Sequence, residues 1–286
     1  MTAIGFRVMG ILNVTPDSFS DGGRFLDPDA AAAHGLELAR QGADFLDIGG
    51  ESTRPGAEPV SAEQELARVL PVLERLAGAA PAAGRARISI DTSKRAVAEA
   101  ALAAGATLVN DVTAFRADPE LAGLVADRGS DCCLVHMRGE PRTMQEDPRY
   151  GDVVDEVHAF LEDRLAFAVA EGVAEHRVLL DPGIGFGKTA AHNLEILARL
   201  EELLVLGRPL VVGTSRKAFL GSVAGGRTPL ERLPGTIATS VLAFERGAAV
   251  LRVHDVGAVR DALLLTAATV SPRWQKRSAP TTRTTG

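Results

Sequence analysis

The residues most able to do chemistry gather around Asp181–Lys188, DPGIGFGK, where the apolar run Val178, Leu179, Leu180 stops at a carboxylate followed by Gly183, Gly185 and Gly187. A strand that ends in an acid delivers a hydrogen-bond acceptor to a pocket. The glycines behind it allow a tight turn or close approach to a ligand, because they carry no Cβ and tolerate positive φ. Gly187, Lys188 and Thr189 also spell the end of a nucleotide-binding P-loop. In that motif, however, the first glycine would fall on Pro182, which has no N–H to offer a phosphate.

Other polar residues end apolar runs in the same way: Asn13, Glu51, Asp91, Asn110, His136, Ser215 and His254. Any one of them could be an ordinary turn or helix-cap residue. A polar group at the end of every run instead argues for a shared site.

The elements that must position these residues follow from periodicity. Short apolar or β-branched runs occur at Val8–Asn13, Phe45–Gly50, Arg87–Thr92, Leu108–Val112, Cys132–Met137, Val178–Gly183, Leu210–Ser215 and Val250–Asp255. Between them, helical spacing covers Pro28–Gln41, Ala62–Ala77, Arg95–Ala104, Pro119–Asp127, Asp152–Glu171, Leu194–Leu203, Thr236–Glu245 and Ala258–Ala268. Strand and helix alternate throughout, which predicts an α/β fold, a (β/α)8 TIM barrel with its site at the C-terminal ends of the strands. An open doubly wound sheet is the alternative, but no G-x-G-x-x-G follows the first strand. Gly42, Gly105, Gly129, Gly172 and Gly247 fall where left-handed helix caps are needed. Two polar loops, Thr15–Phe25 and Ser52–Pro59, follow the first two strands and read either as mobile lids or as plain surface turns.

A chain of 286 residues, 46% hydrophobic and 24% charged, suits one barrel domain over residues 1–274, with a disordered tail at 275–286. The net charge of −6 and the absence of a dense basic run argue against a nucleic-acid surface. An anionic substrate would need local positive charge. No stretch is expected to span a membrane or act as a leader, and the adjacent Cys132 and Cys133 read as buried thiols of a cytoplasmic protein. Neither a His-x-His on the first strand nor tetrahedral cysteine spacing points to zinc.

Taken together, MGILNVTPDSFSDGG from Met9, GGESTRPGA from Gly49, IDTSK from Ile90, VNDV from Val109, HMRGEPRTMQ from His136, DPGIGFGKT from Asp181, GTSRKAFLG from Gly213 and RVHDV from Arg252 resemble the dihydropteroate synthase family. The likeness covers all but the short tail, in the right order on successive predicted strands. It implies condensation of 6-hydroxymethyl-7,8-dihydropterin diphosphate with p-aminobenzoate, with loss of pyrophosphate.

By that resemblance Asp91, Asn110, Asp181 and Lys217 hold the pterin's polar edge, and Met137 and Phe186 supply apolar contact near its ring. Arg252 and His254, two apart on one strand, point the same way and clamp phosphate oxygens. Lys217, Asp181, Arg252 and His254 are thus the catalytic set. Asn13 helps to hold a Mg²⁺ ion that bridges the diphosphate. Thr53, Arg54 and Pro55 shape the p-aminobenzoate pocket together with Ser215, and Asp17, Phe19 and Asp21 are weaker candidates on the first loop. The p-aminobenzoate carboxylate is expected at the start of the helix after Lys217, where many family members carry serine and this chain has Ala218. The family also implies a homodimer through outer helices, with Ile237–Phe244 serving either core or interface.

Three other readings compete. Lys217 could be an aldolase Schiff-base lysine, or simply an exposed helix-start lysine. A methyltetrahydrofolate–corrinoid methyltransferase would share the Asp and Asn floor but lack STRPG, SRK and RVH, which this chain has. A paralogue could bind pterin without turning it over. His136 reads as a packed or supporting histidine.

Overall fold

Eight parallel strands close a barrel in a computed structural model that describes residues 5–15, 27–54, 56–79 and 86–270. They are β1 (Arg7–Asn13), β2 (Phe45–Gly49), β3 (Arg87–Asp91), β4 (Leu108–Asp111), β5 (Asp131–Val135), β6 (Val178–Asp181), β7 (Leu210–Val212) and β8 (Ala248–Val253). They pair in chain order, and β8 returns to β1 with Arg252 opposite Met9. Around them lie α1 (Pro28–Arg40), α2 (Ala62–Gly78), α3 (Arg95–Ala103), α4 (Glu120–Arg128), α5 (Val153–Ala170), α6 (Ala190–Ala198), α7 (Ala218–Val223), α8 (Leu233–Glu245) and α9 (Val256–Val270). The expected (β/α)8 barrel is what forms.

Strand alternation divides the core in two, because successive side chains point to opposite faces. Met9, Phe45, Leu108, Cys133, Leu179, Val211 and Val250 make one cluster, the barrel filling. Their neighbours Val8, Leu46, Val109, Cys132, Val178, Val212 and Leu251 turn outward and pack with the helices in the other. Cys132 and Cys133 are therefore buried free thiols on opposite faces, and burial pushes both up from the ordinary thiol range. No helix among the described residues is long and apolar enough to cross a membrane.

Caps explain where several helices begin. Ser61 and Gln64 form a reciprocal capping box at α2, and Asp152 accepts the Val154 and Asp155 N–H groups at α5. The same effect corrects one expectation. Thr189 and His192 cap each other, so α6 starts at Ala190 rather than Leu194, and after Ala198 the chain tightens into a 3-10 stretch at Leu200–Leu206. The short helix α7 forms after Lys217, where the resemblance implied a helix and apolar spacing did not show one, and β7 ends at Val212, which leaves Ser215 in the turn that precedes α7. Gly42, Gly105, Gly129, Gly172 and Gly247 leave their helices with positive φ, as expected. Most of the first loop, with Asp17, Phe19 and Asp21, and also Pro55 and the tail, lies outside the described residues.

Candidate active site

The barrel floor is one pleat deeper than the strand ends. The residue two positions beyond an interior apolar side chain points inward one layer higher. Beyond Phe45, Leu108, Leu179 and Val250 these are Asp47, Asn110, Asp181 and Arg252. Asp47 is completely buried and accepts from Arg252 Nε at 2.7 Å, Asn110 Nδ2 at 3.0 Å and Ser89 Oγ at 2.5 Å. Arg252 Nη2 donates to Asp91 Oδ2 at 2.6 Å, so one guanidinium spans two carboxylates. Burial works against the Arg252 charge, but Asp47 and Asp91 outweigh it and hold its proton more tightly than usual. Burial pushes the Asp91 carboxyl up to about 7, with Arg252 opposing and the Asp47 charge reinforcing.

Above β6 the glycine loop is fixed from several sides. Gly183 has φ 66° and Gly187 φ 62°; a Cβ on them would sit 1.8 Å from His136 O and 2.3 Å from Arg138 O. Only glycine fits there. Asp181 Oδ1 accepts the Gly183 N–H at 2.7 Å, Asn193 Oδ1 accepts the Gly185 N–H at 2.7 Å, and Tyr150 donates to Gly187 O at 2.8 Å. Lys188, 2% exposed, places its Nζ 2.8 Å from His136 Nδ1, 2.9 Å from Gly183 O and 3.1 Å from Phe186 O. Three acceptors satisfy an ammonium's three protons. Lys188 is therefore a staple of the loop and does not face a phosphate as a P-loop lysine would. His136 is packed, as expected: burial and then the Lys188 charge push it down to about 2.

Lys217 lies across this loop. Its Nζ donates to Ile184 O and stands 4.6 Å from the centre of the Phe186 ring. Burial lowers Lys217 to about 8, with Asp181 opposing, while burial raises Asp181 with Lys217 opposing. On the far side His254 follows β8. Its backbone N–H donates to Ser215 Oγ at 3.2 Å, and its Nδ1 lies 3.0 Å from the same hydroxyl. Burial, followed by the charges of Arg216, Arg252, Arg54 and Lys217, holds the imidazole well below its ordinary range. Burial and these charges favour the neutral ring, and its tautomer sets whether Ser215 donates or accepts across the Nδ1 contact. Arg216, at φ 58°, is anchored by Asp255 through Nε at 3.0 Å and Nη2 at 2.6 Å.

These groups surround a cavity of about 750 Å³ at the C-terminal rim, lined by Asn13, Asp91, Lys217, Arg252 and His254 among others. Its wall combines a carboxylate and an aromatic ring with several cations, groups suited to a molecule with a flat polar head and an anionic tail.

Residues 9–254 match the family model for pterin binding enzymes. Dihydropteroate synthase of Escherichia coli is 44% identical over 271 residues, covering 95% of this chain and 94% of the relative. The Xanthomonas albilineans dihydropteroate synthase structure with 4-aminobenzoic acid is 49% identical, superposes with a TM-score of 0.86 and covers 95% of this chain and 96% of that one. The same enzyme in complex with 7,8-dihydropteroate superposes with a TM-score of 0.82 at 46% identity, covering 95% and 97%. The chain belongs to the dihydropteroate synthase family. It is a transferase.

The synthase motifs converge, but not all on the cavity wall. Asn13, Thr53, Arg54, Asp91, Phe186, Ser215, Lys217, Arg252 and His254 line it. Asn110, Met137 and Asp181 do not, and are only 3%, 3% and 6% exposed. Arg252, expected at phosphate, already uses Nε and Nη2 on the floor, while Nη1 makes no hydrogen bond among the described residues. Sequence reasoning missed Asp47, Lys94 and the Arg216–Asp255 pair. Strand parity could have found Asp47, since it stands two residues past an interior phenylalanine and two before the strand end.

Proposed function

We propose that this chain condenses 6-hydroxymethyl-7,8-dihydropterin diphosphate with p-aminobenzoate, giving 7,8-dihydropteroate and pyrophosphate. The observation that carries the reading is one cavity that brings the Asp91 carboxylate together with Arg54, Arg216, Lys217, Arg252 and His254.

Asp181 accepts two neighbouring N–H groups of the pterin side by side, and Asp91 and Asn110 complete that edge. Lys217 Nζ is held by Ile184 O beside the Phe186 ring, so pterin entry displaces that bond and frees its ammonium for the ring. Met137 and Phe186 give apolar contact. Nη1 of Arg252 and Nε2 of His254 receive the diphosphate. As negative charge builds on the departing oxygen, these donors are already aimed and need no reorganisation. The C–O bond at the pterin methylene breaks, pyrophosphate takes the electron pair, the p-aminobenzoate nitrogen forms the C–N bond and its proton leaves to solvent or pyrophosphate. No enzyme nucleophile is required. Cys133, buried in the barrel filling with its thiol pushed well up, offers none.

Among the described residues no cluster of His, Cys, Asp and Glu could hold a metal alone. Asn13, at the end of β1 on the cavity wall, offers one amide oxygen and would hold a Mg²⁺, a cation suited to few protein ligands. When bound, Mg²⁺ would neutralise charge on the leaving group. The p-aminobenzoate carboxylate sits at the start of α7, where Lys217 provides no side-chain cap and Ala218 no hydroxyl, so backbone N–H groups alone receive it. Thr53, Arg54, Pro55 and Ser215 shape that end.

The chain works as a cytoplasmic homodimer through outer helices, supported by Leu264 at 49% and Leu265 at 69% exposure on α9; a monomeric mass by light scattering at micromolar concentration refutes the dimer. The reaction itself is tested by pyrophosphate release with Mg²⁺, with and without p-aminobenzoate, alongside Lys217→Ala and Asp181→Ala. Release that needs p-aminobenzoate and collapses in both variants is expected. Pterin binding without release would overturn the assignment in favour of a silent paralogue.

A further inference from the structure

Behind the cavity wall, to which Glu51 itself belongs, a partly buried ionic cluster joins the ends of β2 and β3. Glu51 stands two residues past β2. Its Oε1 accepts the Val60 N–H at 3.0 Å and its Oε2 takes Lys94 Nζ at 2.6 Å. Lys94, which precedes α3, also reaches Glu65 Oε2 on α2 at 2.7 Å. Glu65 is completely buried, and among the described residues its Oε1 has no hydrogen-bond partner. A buried carboxylate left half satisfied is costly unless a cation compensates it, and Lys94 is that cation.

The consequence lies in the loop. A single carboxylate, Glu51, precedes residues 52–59 and binds the amide that follows them, so it closes the loop into a ring. Within the ring Ala57 N donates to Arg54 O at 3.0 Å, and Ser52, Thr53 and Arg54 line the cavity. The exposed Arg142–Glu58 pair, at 3.9 Å, adds little. Glu51 could turn either oxygen to solvent were it not held by Lys94, which is itself held by the buried Glu65.

We propose that Lys94 is a positioning residue for p-aminobenzoate: through Glu51 it keeps the 52–59 loop closed, and so keeps Thr53 and Arg54 against the cavity. This rests on the assignment of that loop to p-aminobenzoate. Neither Lys94 nor Glu65 lines the cavity, so the effect is indirect and selective.

The test compares Lys94→Met, Lys94→Arg and the double variant Lys94→Met/Glu65→Leu, which removes the stranded buried charge if the single variant folds poorly. Amide hydrogen exchange at Val60 reads the closure, and separate KM values for the two substrates read its use. Loss of a charge-assisted tie predicts roughly tenfold faster Val60 exchange and a roughly tenfold higher KM for p-aminobenzoate, with the KM for the dihydropterin diphosphate unchanged and Lys94→Arg restoring both in part. Unchanged Val60 exchange in the Lys94→Met variants overturns the proposal. So does faster exchange with an unchanged p-aminobenzoate KM, when Arg54→Ala raises that KM. If Arg54→Ala leaves it alone too, the loop's assignment to p-aminobenzoate is what fails, and the role given to Lys94 falls with it.

Discussion

Replacing Asp47 separates charge from hydrogen-bond satisfaction at the barrel floor. Asp47 accepts from Arg252, Asn110 and Ser89 while completely buried. In Asp47→Asn the amide oxygen can stand where Oδ2 was and keep the Arg252 and Asn110 bonds, while the amide N–H donates to Ser89 Oγ, which reverses its hydroxyl. What disappears is one negative charge beside a guanidinium that still has Asp91. That loss is about 2 kcal/mol, the middle of the range for a hydrogen bond to a charged group. Asp47→Ala instead strands three buried donors at about 1–3 kcal/mol each, one of them cationic, for a total on the order of 5 kcal/mol. In a chain this long about 1 kcal/mol lowers the melting temperature by about 2 °C, so drops of about 4 °C for Asn and about 10 °C for Ala are expected. Scanning calorimetry at fixed pH reads both. Alanine melting no lower than asparagine would refute the claim that satisfied hydrogen bonds, more than charge, hold the floor.

Two predictions concern titration. Asp91 is pushed up to about 7 and Lys217 down to about 8, so kcat/KM for the dihydropterin diphosphate, which reports the free enzyme, should form a narrow bell. Below the first value Asp91 is protonated and no longer a charged acceptor; above the second Lys217 has lost its cation. Lys217→Arg should remove the alkaline limb, and a profile flat from about pH 6 to pH 9 would contradict both assignments. His254 is held neutral by burial and by neighbouring cations, so pyrophosphate bound among those cations should raise its pKa. Imidazole NMR at slightly acidic pH should show His254 gaining a proton when pyrophosphate is added, and an unchanged signal would place the anion elsewhere.

Most of the architecture was legible because its signals are local. Strand alternation, glycine punctuation and helix spacing repeat within a few residues, and each βα unit repeats the same rule. The glycine loop was legible for the same reason: Asp181, Gly183 and Gly187 need their identities for contacts made within one turn or with the adjacent strand's end. Where the reading went wrong, at α6, capping outweighed apolar spacing.

The electrostatic organisation was not legible, because its partners are far apart in the chain. Arg252 meets Asp47 across 205 residues and Asp91 across 161, and Lys94 meets Glu51 across 43. Two residues apart on one strand, Arg252 and His254 look like equivalent phosphate ligands, yet the structure gives them opposite characters. Arg252 sits between two carboxylates and keeps its charge at any ordinary pH, while His254 sits among cations and loses its own. In the proposed reaction the pair would therefore receive an anion in different ways: Arg252 as a fixed field, and His254 by gaining charge as the diphosphate arrives to offset its cationic neighbours. A sequence motif records that both residues are present; only the closure of the barrel, which brings β2 and β3 against β8's inward face, decides which of them is the constant cation and which responds to substrate.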